Sequence, residues 1–262
     1  MSTIRFERSG AIGSIVLANP PFNRIDLRYA SALREAVHAA SESDVRVLMV
    51  RAEGPNFSMG GEVREWPGKD INWFRTFVAE VNLSYRAIEA LRVPTLAVVR
   101  GLAFGGGFEL ALACDLVVAA EDAVFCCVEV TTGMLPIAGA LQRIAERAGR
   151  GRASRFAMLG EPIPGKQAGE LGIATHVVPG AKLDAEANAL AKRLASGPTR
   201  SYAATRTLLK AWSGGGITAA DAMMLDVTMD LYDSADAQRG FASTAKAFDA
   251  NVEPPEMAFE GR

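Results

Sequence analysis

The sequence predicts an α/β fold of repeated strand–loop–helix units that ends in helices alone, and three observations predict it. The apolar, β-branched run 94–100 leads into Gly101-Leu-Ala-Phe-Gly-Gly-Gly-Phe-Glu-Leu-Ala-Leu-Ala-Cys-Asp115, with three consecutive glycines at a strand-to-helix joint. The same order occurs upstream, where the apolar run 45–51 precedes the glycine-rich loop Ala52-Glu-Gly-Pro-Asn-Phe-Ser-Met-Gly-Gly-Glu62. From about Ala185 onward, only helical spacing remains.

Taken in order, residues 4–8 and 12–17 alternate around Ser9-Gly10 and predict a hairpin. Residues 27–40 carry apolar side chains at helical spacing, 45–51 read as a buried strand, and 70–91 as a long amphipathic helix. The strand 94–100 and its glycine joint come next. Leu110, Ala111, Ala113 and Cys114 then offer a small-residue face for packing, and strands are predicted at 116–119 and 123–126. Four helices close the chain at 185–196, 200–212, 219–232 and 235–250, punctuated by Pro198 and Gly214-Gly-Gly216. The expected division is a core over residues 1–195 and a helical module over 196–262. No low-complexity linker separates them, which predicts tight packing of one on the other.

Composition narrows the function classes. The 262 residues are 49% hydrophobic, enough for a large core. A net charge of -2 argues against a nucleic-acid footprint, which needs a basic excess. No apolar run approaches the roughly 18–20 residues of a membrane span, and the N-terminus lacks the basic-then-apolar build of a secretory signal. Cys114, Cys126 and Cys127 form no disulfide set, so a reducing cytoplasm is expected. With only His38 and His176, neither a histidine-rich metal site nor a Ser-His-Asp triad has its parts. Trp66, Trp73 and Trp212 read as packing anchors.

The glycine joint carries the chemistry. A helix start presents unpaired N–H donors at the positive end of its dipole, so Gly105 to Gly107 suit an oxyanion. Neither a Gly-x-Gly-x-x-Gly spacing nor a Walker Lys-Ser/Thr is present, and Glu109 just inside the helix would repel a phosphate. Beside a developing enolate, that carboxylate can act as a base or hold a water. Tight strand–helix packing is the alternative use of the three glycines. The two glycine loops together can each give one N–H donor to a thioester or ester oxygen. Glu129, 20 positions after Glu109, lies where a strand and a turn can return the chain to the same pocket. Considered alone, it is a surface or paired structural charge.

Phe57-Ser-Met-Gly-Gly-Glu-Val63 together with Gly101 to Asp115 resembles the enoyl-CoA hydratase/isomerase (crotonase) superfamily. Asn19-Pro-Pro-Phe-Asn-Arg24, Gly133-Met-Leu-Pro136 with Gln142-Arg143, and Phe259-Glu-Gly-Arg262 extend the resemblance over nearly the whole chain. It implies a crotonase-like spiral of repeated ββα units with a C-terminal helical oligomerisation module, assembled as a trimer or a dimer of trimers. It implies an acyl-CoA thioester substrate, with coenzyme A entering as part of that substrate and no metal or redox cofactor. In the hydratase branch two glutamates hold one water. The resemblance thus assigns Glu109 to activating water at C3, Glu129 to protonating C2, and the N–H groups of Gly61 and Gly106 to the enolate oxygen.

The same resemblance places Arg24 and Arg64 near the coenzyme A phosphates, Phe22 on the pantetheine arm and the Met59 carbonyl at the adenine. Four positions depart from the pattern. Glu62 replaces the usual aspartate, Met59 a frequent alanine, and Val128 the proline before the second glutamate, which predicts a looser turn. Ile137 replaces a glycine near the catalytic water and is expected to narrow the acyl or water site. The implied activity is a 2-enoyl-CoA hydratase. The alternatives are a Δ3,Δ2-enoyl-CoA isomerase, other acyl-CoA chemistry of the superfamily, or a catalytically silent acyl-CoA-binding subunit.

Overall fold

The chain opens on the predicted hairpin, in which β1 (Ile4–Ser9) pairs antiparallel with β2 (Ile12–Leu17). The computed structural model describes residues 3–261. Met1 and Ser2 of the N-terminal expectation and Arg262 of the terminal motif lie outside them. Helix α1 (Leu27–Ser41) starts where the Asp26 side chain accepts from the Tyr29 N–H, and α2 (Ile71–Ala90) where Asp70 accepts from Asn72 and Trp73. Between them β3 (Val47–Ala52) lies parallel to β2, and β4 (Thr95–Val99) then lies parallel to β3. All five residues of β4 are buried, as its unbroken apolar run requires of a covered parallel strand.

The glycine joint proves to be a short strand and then a helix, β5 (Leu102–Phe104) and α3 (Gly106–Leu112). Strands β6 (Leu116–Ala120) and β7 (Val124–Cys126), a 3-10 turn (Val128–Thr132), and α4 (Ala140–Ala148) make the next unit. The described chain continues through α5 (Arg150–Leu159), β8 (Ile163–Pro164), α6 (Gly165–Glu170), β9 (His176–Val178) and α7 (Leu183–Ser196). It ends with α8 (Thr199–Tyr232) and α9 (Ala235–Asp249). No element was expected between residues 140 and 182. Those that form there are short, although α4 carries Ala140, Leu141, Ile144, Ala145 and Ala148 at helical spacing, opposite Gln142, Arg143, Glu146 and Arg147, a period the sequence reading overlooked.

Two sheets organise the core. One runs β1-β2-β3-β4-β6-β9 and the other β5-β7-β8. Successive turns of the chain give one strand to the large sheet, one to the small sheet, and then a helix. In the early turns the small-sheet strand shrinks to single bridges, Ile25 with Gly61 and Ser58 with Ala103. That succession is the spiral of ββα units. Tyr29, Tyr85, Phe57, Phe77, Phe108 and Phe125 seal the interior, and α7 packs across β3, β4 and β6.

The predicted helices 200–212 and 219–232 are the two arms of α8, which breaks between them. Gly215 (φ -147°, ψ 15°) and Gly216 (φ 69°, ψ -165°) leave helical geometry where the sequence placed punctuation. The expected tight packing of the tail on the core is not found. A cleft of about 1060 Å³ opens between α8 and residues 89–93. Among the described residues no helix is long and apolar enough to cross a membrane.

Candidate active site

The spiral brings the two glycine loops together. The Phe57 and Ser58 N–H groups donate to the carbonyls of Arg100 and Leu102, and Phe104 N–H returns to Ser58. The contact is so close that a Cβ on Gly107 would lie 2.5 Å from the Ser58 carbonyl oxygen, and one on Gly60 would lie 3.3 Å from the Gly106 nitrogen. The packing use foreseen for the glycine run is therefore present. Gly107 permits packing, while Gly105, at φ +49°, turns the chain so that α3 begins at Gly106. The Gly106 N–H is a first-turn donor without an intrahelical partner. On the other loop, Ile25 takes the Gly60 carbonyl and the Glu62 N–H, and among the described residues no protein acceptor takes the Gly61 N–H.

Gly61 and Gly106 line a cavity of about 270 Å³ that also holds Glu109 and Glu129. Glu109 is the fourth residue of α3 and fully buried. Its Oε1 accepts from Ala138 N–H at 2.7 Å and Ala140 N–H at 3.1 Å, whereas Oε2 is buried without a partner among the described residues. Burial pushes its pKa above the ordinary carboxylate range, against the opposing pull of those N–H donors and of Arg143. Glu129 sits in the 3-10 turn with its own Oε2 buried and unpartnered. Burial, with a smaller contribution from the charge of Glu109, pushes its pKa up to about 7.

The loosening expected from Val128 is not seen. Thr131 Oγ1 donates to the Val128 carbonyl at 2.7 Å, and Thr132 Oγ1 and Met134 N–H donate to that of Glu129 at 2.9 and 3.1 Å. Those bonds close the turn in place of proline's fixed φ.

Of the remaining expected site residues, Arg24, Met59 and Ile137 line the cavity. Phe22 and Arg64 stand outside its wall. Phe22 is 45% exposed with the Arg24 guanidinium 5.2 Å above its ring, and Arg64 is an exposed partner of Glu62, donating to Oε1 at 2.7 Å. Glu62 thus answers the cations beside the cavity, which holds its pKa below the usual carboxylate range.

Sequence reasoning missed the apolar wall. Trp66, expected only as a packing anchor, lines the cavity beside Phe74, Phe77 and Val81. Its ring meets Phe74 edge-on at 5.2 Å, and a Cβ on Gly61 would lie 2.6 Å from it. The signal was present in α2, where positions 74, 77 and 81 repeat at helical spacing on one face. Trp73 stacks on Phe77 at 5.8 Å, and Trp212 is 43% exposed.

Residues 7–253 match the family model described as enoyl-CoA hydratase/isomerase. The Mycobacterium tuberculosis protein named probable enoyl-CoA hydratase echA8 is 31% identical over 72% of this chain and 74% of its own. A probable enoyl-CoA hydratase of Rhodobacter capsulatus is 29% identical over 91% of this chain and 93% of its own. Among solved structures, an enoyl-CoA hydratase subunit I from Geobacillus kaustophilus superposes with a TM-score of 0.88 at 29% identity, covering 99% of this chain and 98% of that one. The chain therefore belongs to the enoyl-CoA hydratase/isomerase family and has the crotonase fold.

Proposed function

We propose that the protein is a 2-enoyl-CoA hydratase, adding water syn across the C2=C3 bond of a 2-trans-enoyl-CoA to give the 3-hydroxyacyl-CoA. One observation carries the reading. Among the described residues, two buried carboxylate oxygens, Glu109 Oε2 and Glu129 Oε2, have no protein partner and belong to side chains lining one cavity, beside two glycines whose N–H groups have no backbone acceptor. Hydration needs a base for the water, an acid for C2, and donors for charge on the thioester oxygen. Glu109 deprotonates the water that attacks C3. Glu129, with a pKa near 7, delivers the proton to C2, and the N–H groups of Gly61 and Gly106 hold the enolate oxygen.

The wall of Trp66, Phe74, Phe77 and Val81 suits an uncharged apolar acyl group, and Ile137 narrows the same space. Arg24 and Arg64 meet the coenzyme A phosphates, the Met59 carbonyl meets the adenine, and Phe22 packs on the pantetheine arm. The working assembly is a homotrimer or a dimer of trimers. Retention of Glu109 favours hydration over isomerisation, for which a single proton-shuttling glutamate suffices. Incubation with 2-enoyl-CoAs of four to twelve carbons, following loss of the conjugated-thioester absorbance, tests the reading. Turnover of 3-enoyl-CoAs alone would establish the isomerase, and inertness towards every substrate would establish the silent subunit.

A further inference from the structure

Glu109 is held by a loop, and that loop is itself gripped from α2. The Ala138 N–H that donates to Glu109 Oε1 at 2.7 Å shares a peptide unit with the Ile137 carbonyl, which accepts from Asn82 Nδ2 at 2.8 Å. In a trans peptide the C=O and N–H point in opposite directions. A donor on the oxygen therefore aims the hydrogen at the carboxylate and polarises it. The next peptide unit repeats the arrangement. The Ala138 carbonyl accepts from Arg143 Nη1 at 3.0 Å, and the N–H of the same unit, on Gly139, also acts on Glu109.

Arg143 is fixed in turn. Its Nε donates to Glu89 Oε1 at 2.7 Å, and its side chain is only 13% exposed. A Cβ on Gly139 would lie 1.7 Å from Arg143 Nη1, so the guanidinium fills space that only glycine leaves. Asn82 and Glu89 stand two turns apart on one face of α2, and the other Asn82 amide proton stays on the Val78 carbonyl at 2.8 Å.

We propose that Asn82 and the Glu89–Arg143 pair are positioning residues that set the orientation and proton affinity of Glu109 through the peptide units 137–138 and 138–139. The proposal rests on Glu109 being the base of the hydration. The other titratable groups that act on Glu109 are Tyr85 on α2, Cys127 ahead of the 3-10 turn, and Glu129 within it. Burial raises the pKa of Tyr85 and Cys127 far enough that both stay protonated throughout the relevant range, which leaves Glu129 as the one neighbour that titrates with Glu109.

The test follows Glu109 directly, by NMR of carboxyl-13C-labelled glutamate with Glu109→Gln assigning the signal, alongside the pH profile of kcat. Asn82→Leu removes the donor while keeping the branched shape of the side chain. Glu109 should then titrate about 0.5–1 pH unit higher. The acid limb of kcat should move the same way, kcat should fall roughly 3- to 10-fold, and KM should stay within about twofold. Glu89→Gln keeps an acceptor for Arg143 but removes a negative charge, so the titration should move downward. A purely structural role would lower stability and leave both titrations where they were. Titration as in the wild type in both variants overturns the proposal. If Asn82→Leu does not fold, the direction of the Glu89→Gln shift decides alone. If the wild type hydrates nothing, the hydratase reading falls while the NMR titration still decides the relay.

Discussion

In the core, Tyr29, Leu48, Tyr85, Phe108 and Phe125 are shut away from solvent, whereas α8 has no buried residue along its length. Leu209 is 60% exposed, Ile217 70% and Leu225 68%, and Phe241 and Phe248 on α9 are similarly open. The two regions are also held differently. The core closes by apolar packing between sheets and helices. The tail is tied on by arginines, with Arg206 donating to the carbonyls of Ile88, Glu89 and Leu91 and pairing with Asp115, and Arg46 donating to those of Gly197 and Phe259. Polar clamps fix where the tail lies without covering its apolar side chains. An apolar surface of that extent needs a second surface to meet it. In the proposed trimer, other copies of this chain would supply it.

The same substitution made in both regions is the sharpest way to break the comparison. Leu48→Ala should cost about 2–5 kcal/mol in denaturant unfolding, because the site is fully buried and leaves a cavity. Leu225→Ala should stay within about 0.5 kcal/mol of wild type for the isolated subunit. Leu225→Asp should instead lower the mass seen by light scattering at micromolar concentration. A wild type that scatters as a 27.8 kDa monomer would remove the assembly role of the tail.

The next contrast lies within the core, between groups that fold the chain and groups that react. Glu109→Gln and Glu129→Gln keep shape and polarity, so each should stay folded and lose about 10²-fold or more in kcat. A variant with an unchanged rate would remove its residue from the mechanism.

A smaller effect is expected at Ile137. Ile137→Gly enlarges the cavity beside Glu109 and should raise kcat/KM for longer enoyl-CoAs about 10-fold relative to crotonyl-CoA. Equal effects at every chain length would place the side chain away from the acyl group.

The smallest effect is a pH dependence of stability. Burial raises both glutamates, Glu129 to about 7, so between the ordinary carboxylate value of 4.5 and about 7 the folded chain holds a Glu129 proton that the unfolded chain has lost. The sign follows directly. Glu129 costs nothing below pH 4.5 and subtracts stability as pH rises from there through about 7, and Glu109 acts in the same direction. Glu129→Gln should therefore match the wild type near pH 4 and melt higher at pH 8, by about 2–4 °C for each kcal/mol relieved. A variant that melts lower at pH 8 would mean that the Glu129 carboxylate is stabilised in the folded state.

The sequence by itself determined the alternation of strand, glycine loop and helix, the all-helical end, and the glutamates and glycines of the cavity. These are legible because burial imposes a period on side chains, and because close backbone approach admits few residue types. Short elements such as β5 and β8 carry no full period, and nothing at Trp66 showed that it would meet Gly61 and line the cavity. Tertiary structure alone decided that Arg64 and Phe22 stand outside the cavity wall, and that Ala138 and Ala140 turn their N–H groups onto Glu109. A peptide unit has the same chemistry at every position. Which way its N–H points depends on what holds its carbonyl, and here that grip comes from Asn82, 55 residues away in the chain.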